Sequence, residues 1–227
     1  MINILSYLPQ LASGLSVTLI LMLASVSIGL VLAILITMCS LSGFLLVRKC
    51  AGFIVFFIRG TPLLVQLFLI YYGAGQFEWI RDTWLWIVLR EPMGCAIIAL
   101  SINSACYTSI LLQGAIQSVP KNEIAACEAI GMGKWLAFRR IIFPRAFRIA
   151  LPAYSNEVIM VLKGTSLAST ITLLDLMGVT QQLMSEGYQI VQFYIIAGVI
   201  YLLLNAIITA IFNQLLKWSA LPQRQSG

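Results

Sequence analysis

Histidine is absent from this 227-residue sequence, and charge is scarce: Asp, Glu, Lys and Arg together make up 10 % of it. Soluble domains carry about 25 % charged residues, so an aqueous surface over the whole chain is excluded. With no histidine, and five cysteines (Cys39, Cys50, Cys95, Cys106, Cys127) in no CxxC pair, neither a His-containing metal site nor a disulfide framework is expected. The cysteines read as small packing residues. Nothing matches GxxxxGK[ST] and no catalytic triad is visible, so the chain is not expected to bind nucleotide or to be an enzyme. The opening run lacks the basic start of a cleavable signal, since the first Lys or Arg is Arg48. It reads as a retained first helix.

What fills the chain is apolar. Hydrophobic residues make up 60 % of it, and the mean hydropathy is +0.96. Five apolar segments, approximately 15–39, 52–74, 93–116, 149–172 and 190–216, reach the ~18–20 residues needed to cross a bilayer. The predicted fold class is an all-α integral membrane protein, a single domain over 1–227 with five transmembrane helices. The fourth segment is the least regular, because it carries Glu157 and Lys163.

The net charge of +6 admits nucleic acid or an anionic surface as partner, but its placement favours the positive-inside rule. Arg48 and Lys49 follow the first span. Lys121, Lys134, Arg139, Arg140, Arg145 and Arg148 separate the third from the fourth, and Lys217 and Arg224 lie in the tail. These regions are expected to be cytoplasmic, with the N-terminus outside and the C-terminus inside. Membrane lipid is then the expected surface partner, and nucleic acid is not. The 75–92 loop falls outside, where Trp79, Trp84 and Trp86 suit the headgroup interface.

The loop 118–148 is too long and too patterned for a simple turn. Pro120 suits a helix start, and Glu123 meets the helix dipole in the first turn. Ile124, Cys127 and Ile130 form an apolar stripe at helical spacing. Gly131 and Gly133 permit a sharp reversal, and a second short helix over 134–142 is expected to end at Pro144. The result is a two-helix hairpin on the cytoplasmic face. Such a hairpin docks a partner or lies on anionic lipid through Arg139 and Arg140.

Here the residues resemble a family. Gly131 is followed after nine residues by Ile141-Ile142-Phe143-Pro144, as in the cytoplasmic "EAA" loop of ABC importer permeases. Ala126 takes the motif's middle position, while the motif glutamate falls at Ala125 and its last Leu at Phe143. Arg59-Gly60-Thr61-Pro62-Leu63-Leu64-Val65-Gln66 resembles the "RGTPLLVQ" signature of the polar-amino-acid branch. Ile102-Asn103-Ser104-Ala105-Cys106-Tyr107 resembles its "INSAAY" stretch, and Asn156-Glu157 to Lys163-Gly164-Thr165-Ser166-Leu167 its fourth-span motif. The similarity runs over 10–216; Phe68-Leu69-Ile70-Tyr71-Tyr72-Gly73 and Gly75-Gln76-Phe77 look most like an arginine permease, while glutamine, histidine and lysine systems share most of the same motifs.

The resemblance implies an inner-membrane permease that imports amino acids by alternating access and binds no cofactor. ATP would be held by two copies of an ABC ATPase subunit, docked on Ala125, Ala126, Gly131, Ile141 and Pro144. It also implies an external solute-binding protein. Because Ala125 replaces the motif glutamate, the expected partner permease is a second, related chain rather than another copy.

Candidate substrate-binding residues are Glu157, Lys163, Thr165 and Asp175 around the fourth span, and Asn103, Ser104 and Tyr107 on the third. Asn103 and Tyr107 share a helical face at i, i+4, suited to a polar cavity or to interhelical hydrogen bonds. Glu157 and Lys163 are about 120° apart around a helix and each needs its own partner or water. The Gly60-Thr61-Pro62 step is expected to bend the chain near a gate; otherwise Arg59 simply snorkels at a helix end. Two competing readings stay open at this point. One is a stand-alone ion- or proton-coupled carrier or channel, with Glu157 and Asp175 as ion groups. The other is a membrane scaffold that docks cytosolic partners.

Overall fold

The computed structural model describes residues 4–187 and 190–219. Among them there is no strand. Helix α1 runs Ile4–Ser40, α2 Leu45–Gly60 and α3 Leu63–Phe68, which continues through a wide π turn (Leu69–Gly73) and a tight 3₁₀ turn (Ala74–Gln76). Two one-turn helices, α4 (Glu78–Arg81) and α5 (Trp86–Leu89), precede the long α6 (Pro92–Gln117). Then come α7 (Lys121–Ala129), α8 (Lys134–Ala137), a second π turn (Phe138–Ile142) and α9 (Phe143–Thr165), closed by a 3₁₀ turn (Ser166–Ile171). Helices α10 (Leu176–Gly187) and α11 (Ile190–Ser219) complete the order.

Among the described residues, three helical segments are each long and apolar enough to cross a membrane: Tyr7–Ser40, Pro92–Gln117 and Ile190–Trp218. The number becomes five when each of two bent helix pairs is taken as one span. The expected third and fifth segments coincide with α6 and α11. The expected second segment, 52–74, instead straddles a 104° bend between α2 and α3. Pro62 has no N–H to continue the ladder and disfavours helical geometry at the residue before it; Thr61 is accordingly extended, at φ −110° and ψ 143°. The fourth passes into a further segment, α10, across a 47° break. Arg224 lies outside the described residues.

Helix α6 is the centre. It packs against α1 on one side and α9 on another, while α10 and α11 complete the ring. Its apolar window is 56 % buried, against 11 % for α11, whose outer face carries Leu202, Leu203 and Ile207. The cause is side-chain size. The buried positions of α6 include Ala96, Ala99, Ser101, Ser104, Ala105, Thr108 and Ser109, and small residues let helices approach closely where no water drives them together. Gly29 of α1 marks the closest approach: a Cβ there would stand 3.2 Å from the Ser101 carbonyl oxygen. Cys95, Cys106 and Cys127 are buried, in keeping with a packing role, whereas Cys39 and Cys50 are exposed and do not have the expected one.

The cytoplasmic hairpin differs from expectation in its second half. Pro144 does not end a helix; it sits in the first turn of α9, and the chain is helical from Lys134 to Ile171. The π turn explains this, because its wider ring accommodates the missing N–H that would otherwise break the ladder. The apolar stripe is also shorter than expected, with Cys127 buried but Ile130 73 % exposed.

Candidate functional site

The broken span and the two helices behind it enclose a cavity of about 580 Å³, lined by Arg59, Gly60, Thr61, Pro62 and Leu63 at the bend, Leu100, Asn103 and Tyr107 of α6, and Asn156, Glu157, Met160 and Val161 of α9. Bend and cavity have one origin. A continuous helix at 61–62 would fill this space, so the Thr-Pro step opens it. Three of the expected substrate-binding residues, Asn103, Tyr107 and Glu157, meet here.

The cavity has a base and an acid. The Arg59 guanidinium lies 4.9 Å from the centre of the Tyr107 ring, a cation–π distance, and the Tyr107 hydroxyl donates to the Arg59 carbonyl at 3.4 Å. Glu157 is half-buried, with buried Ser104 as a polar neighbour, and lies in the field of Arg59. Among the described residues the ion pairs are Arg90–Glu91 and Arg145–Glu123, so neither Glu157 nor Arg59 is neutralised by direct contact. A half-buried carboxylate without a counter-ion is costly unless something positive or polar meets it. Asn103 donates from Nδ2 to the Gln66 side-chain oxygen at 3.0 Å, so it both bonds between helices and lines the cavity.

Lys163, Thr165 and Asp175 stand away from this lining. Lys163 is exposed. Thr165 and Asp175, both fully buried, belong to a second polar cluster with Thr18 and Tyr201. Asp175 caps α10: the backbone N–H of Gly178 donates to Oδ1 at 3.0 Å and that of Met177 to Oδ2 at 3.3 Å, while the Tyr201 hydroxyl reaches Oδ2 at 3.4 Å. The geometry assigns Asp175 to the fold and not to the cavity, because its oxygens are occupied by backbone donors that begin a helix. Asp175→Ala is expected to lower the stability of the solubilised protein by about 1–2 kcal/mol, whereas Asp175→Asn keeps most of it; thermal melting of the two variants checks this.

Gly164 does not loosen α9 as its type suggests. A Cβ there would lie 3.1 Å from side-chain carbons of both Leu100 and Leu63, so the glycine lets α9 pack close against the cavity wall.

On the cytoplasmic side, α7 ends in a paired-bond cap. The Met132 N–H bonds to the Cys127 carbonyl and the Gly131 N–H to that of Glu128, both at 2.9 Å, with Gly131 at φ +72°. This is the Schellman arrangement, which favours glycine at its left-handed position. Glu123 and Arg145 form a two-point pair across the hairpin, Arg145 Nε donating to Glu123 Oε2 at 3.1 Å and Nη2 to Oε1. That carboxylate raises the Arg145 guanidinium above its ordinary pKa. Ala125, Ala126 and Gly131 are exposed, while Ile141 and Pro144 are half-buried at the π turn. Trp135 and Phe143 flank them, 74 % and 54 % exposed. The hairpin thus presents an apolar, unpaired tip on a rigid stem.

Gln66 and Asn156 are the cavity-forming residues that sequence reasoning left without a role. Gln66 carried a signal: it is an amide in the apolar run that follows Pro62.

Comparison with known proteins agrees with these features. The family model described as "Binding-protein-dependent transport system inner membrane component" matches residues 25–218. The octopine transport system permease protein OccM of Rhizobium radiobacter is 44 % identical over 217 residues, 96 % of this chain and 88 % of that one. The arginine ABC transporter permease protein ArtM of Escherichia coli is 44 % identical over 205 residues, 89 % of this chain and 91 % of that one. Among solved structures, an amino acid ABC transporter crystallised with histidines aligns at a TM-score of 0.85 and 30 % identity, covering 95 % of this chain and 96 % of its counterpart.

Proposed function

Because the chain belongs to the binding-protein-dependent transport system inner membrane components and is thus the permease subunit of an ABC amino-acid importer, with ATP hydrolysis on a separate subunit, we propose that it passes a cationic amino acid, arginine foremost, through the cavity between the broken span and α9. The observation that carries this reading is Glu157: a half-buried carboxylate on the cavity wall with no ion-pair partner among the described residues. A guanidinium supplies both the missing charge and two parallel hydrogen bonds. Arg59, also in no ion pair among the described residues, would receive the α-carboxylate. Asn103 and Tyr107 shape the space between them, whereas Ser104, also expected there, is buried and outside the lining. Arginine and octopine, for which two relatives are named, both carry a guanidino group.

The exposed tip of the hairpin, with Ala125, Ala126, Gly131, Ile141 and Pro144, docks one of two ATPase subunits. A second, related permease supplies the glutamate that Ala125 replaces, and an external solute-binding protein delivers substrate to a face on the N-terminal side of the membrane, leaving the C-terminus cytoplasmic. Lys163 and Thr165 have no part in the cavity on this reading. ATP stays on the partner, and this chain carries no cofactor.

Reconstitution of the purified complex tests the proposal. Native mass measurement is expected to find one copy of this chain, one other permease and two ATPases, and vesicle uptake to favour labelled arginine over a neutral amino-acid panel. Two copies of this chain without a second permease would overturn the pairing. Equal uptake of arginine and the neutral panel would overturn the substrate class.

A further inference from the structure

The bend that opens the cavity is held by one side chain. Gln66 is 7 % exposed, and its Nε2 lies 2.7 Å from the Ile58 carbonyl, 3.1 Å from the Thr61 carbonyl and 2.9 Å from Thr61 Oγ1. Carbonyl oxygens only accept hydrogen bonds, so the amide nitrogen must face them. Turning the amide over would press its oxygen against two carbonyls in a place with little access to water. The Gln66 oxygen is therefore committed to the other side, where Asn103 stands at 3.0 Å. There it meets a second amide and demands a donor. Asn103 must give Nδ2 to Gln66, and its Oδ1 is left without a protein partner among the described residues.

We propose that Gln66 is a positioning residue that sets the polarity of the cavity wall: by fixing its own amide against the bend, it claims one N–H of the Asn103 amide and fixes which way that amide is turned, leaving the Asn103 carbonyl oxygen free to accept from a group in the cavity. That wall then carries an acceptor from Asn103 beside the carboxylate of Glu157. Two acceptors suit a group rich in N–H bonds, such as a guanidinium or an ammonium, better than one with fewer donors. The Thr-Pro bend thus opens the space and also, through Gln66, determines its chemistry. This deepens the reading of the cavity as a passage for a cationic amino acid and rests on it.

The test uses the purified permease–ATPase complex without its external receptor, and compares its Kd for arginine with that for citrulline, in which a neutral ureido group replaces the guanidinium. Gln66→Met is expected to lower the preference for arginine about tenfold, the effect of one misdirected hydrogen bond. Asn103→Leu is expected to lower it at least as far, and Gln66→Met added to Asn103→Leu to lower it no further, because Gln66 acts through Asn103. An unchanged preference in Gln66→Met, or effects that multiply in the double variant, would overturn the proposal. Asn103→Asp provides a measurement free of substrate and of changes at the bend. It sets an acceptor-only side chain against the Gln66 oxygen, so the melting temperature of the complex is expected to fall; an unchanged value overturns the proposal even if Gln66→Met fails to assemble. If the unaltered complex binds arginine and citrulline equally, the cationic reading of the cavity fails, and the Asn103→Asp melting result still decides the amide orientation.

Discussion

Replacing Glu157 with glutamine is expected to reduce arginine uptake by roughly 10- to 100-fold, while the complex assembles and still hydrolyses ATP. The magnitude follows from trading a charge-assisted hydrogen-bond pair for a neutral one, a loss of about 1.5–3 kcal/mol. Normal assembly follows from the surroundings. Glu157 makes no ion pair among the described residues, so no buried cation is orphaned, and glutamine keeps nearly the same size and shape. Uptake of labelled arginine at low concentration, beside size-exclusion profiles of the complex, separates the possible results. A variant that fails to assemble would make Glu157 a structural residue. Undiminished uptake with normal assembly would remove it from the substrate path altogether.

The second large effect is expected at the hairpin. Gly131 stands at φ +72°, in the left-handed region that β-branched residues avoid; it donates one of the two capping bonds of α7, and its turn brings the Met132 N–H round to make the other. Gly131→Val is therefore expected to cost about 1–3 kcal/mol of local structure. Nothing lies within 4 Å of a Cβ there, so the strain is in the backbone and not in packing. The bundle around α6 is distant in sequence and retains its contacts, so insertion in the membrane continues. What fails is the shape of the exposed tip: recovery of the ATPase on affinity-purified permease is expected to fall at least tenfold, and uptake with it. Gly131→Asn, which tolerates the left-handed region better, is expected to recover part of both. Wild-type coupling in the valine variant would remove the hairpin from the docking surface.

The long apolar runs were legible at once, because a bilayer demands about 20 apolar residues and α6 and α11 supply them without interruption. The bend at Thr61-Pro62 was legible as a step and not as a right angle; proline says where a ladder stops, and Gln66 and Asn103 decide where the next one points. Pro144 misled for a related reason. The rule that proline ends a helix assumes a regular ladder, and a single π turn upstream sets it aside. Among the cavity-lining residues, Glu157, Asn103 and Tyr107 were findable because polar groups in an apolar run need a reason to be there. Asp175 looked the same by that criterion, and only the Gly178 and Met177 amides distinguish a helix cap from a cavity group. Gln66 was passed over as part of a motif, since its partners come from eight residues before it and thirty-seven after.

The helix that starts at Lys134 does not stop until Ile171. From the hairpin's turn to Glu157 it extends about 35 Å at ~1.5 Å per residue, so the carboxylate sits at the far end of a stiff beam whose foot lies at the hairpin. A tilt of about 10° at that foot carries Glu157 sideways by some ~6 Å on the same geometry, more than the reach of a hydrogen bond. The beam has two compliant joints below the carboxylate, the π turn at Phe138–Ile142 and Pro152, which leaves a rung of the ladder unmade. How much of a push survives to the top therefore depends on the bending stiffness of those two places.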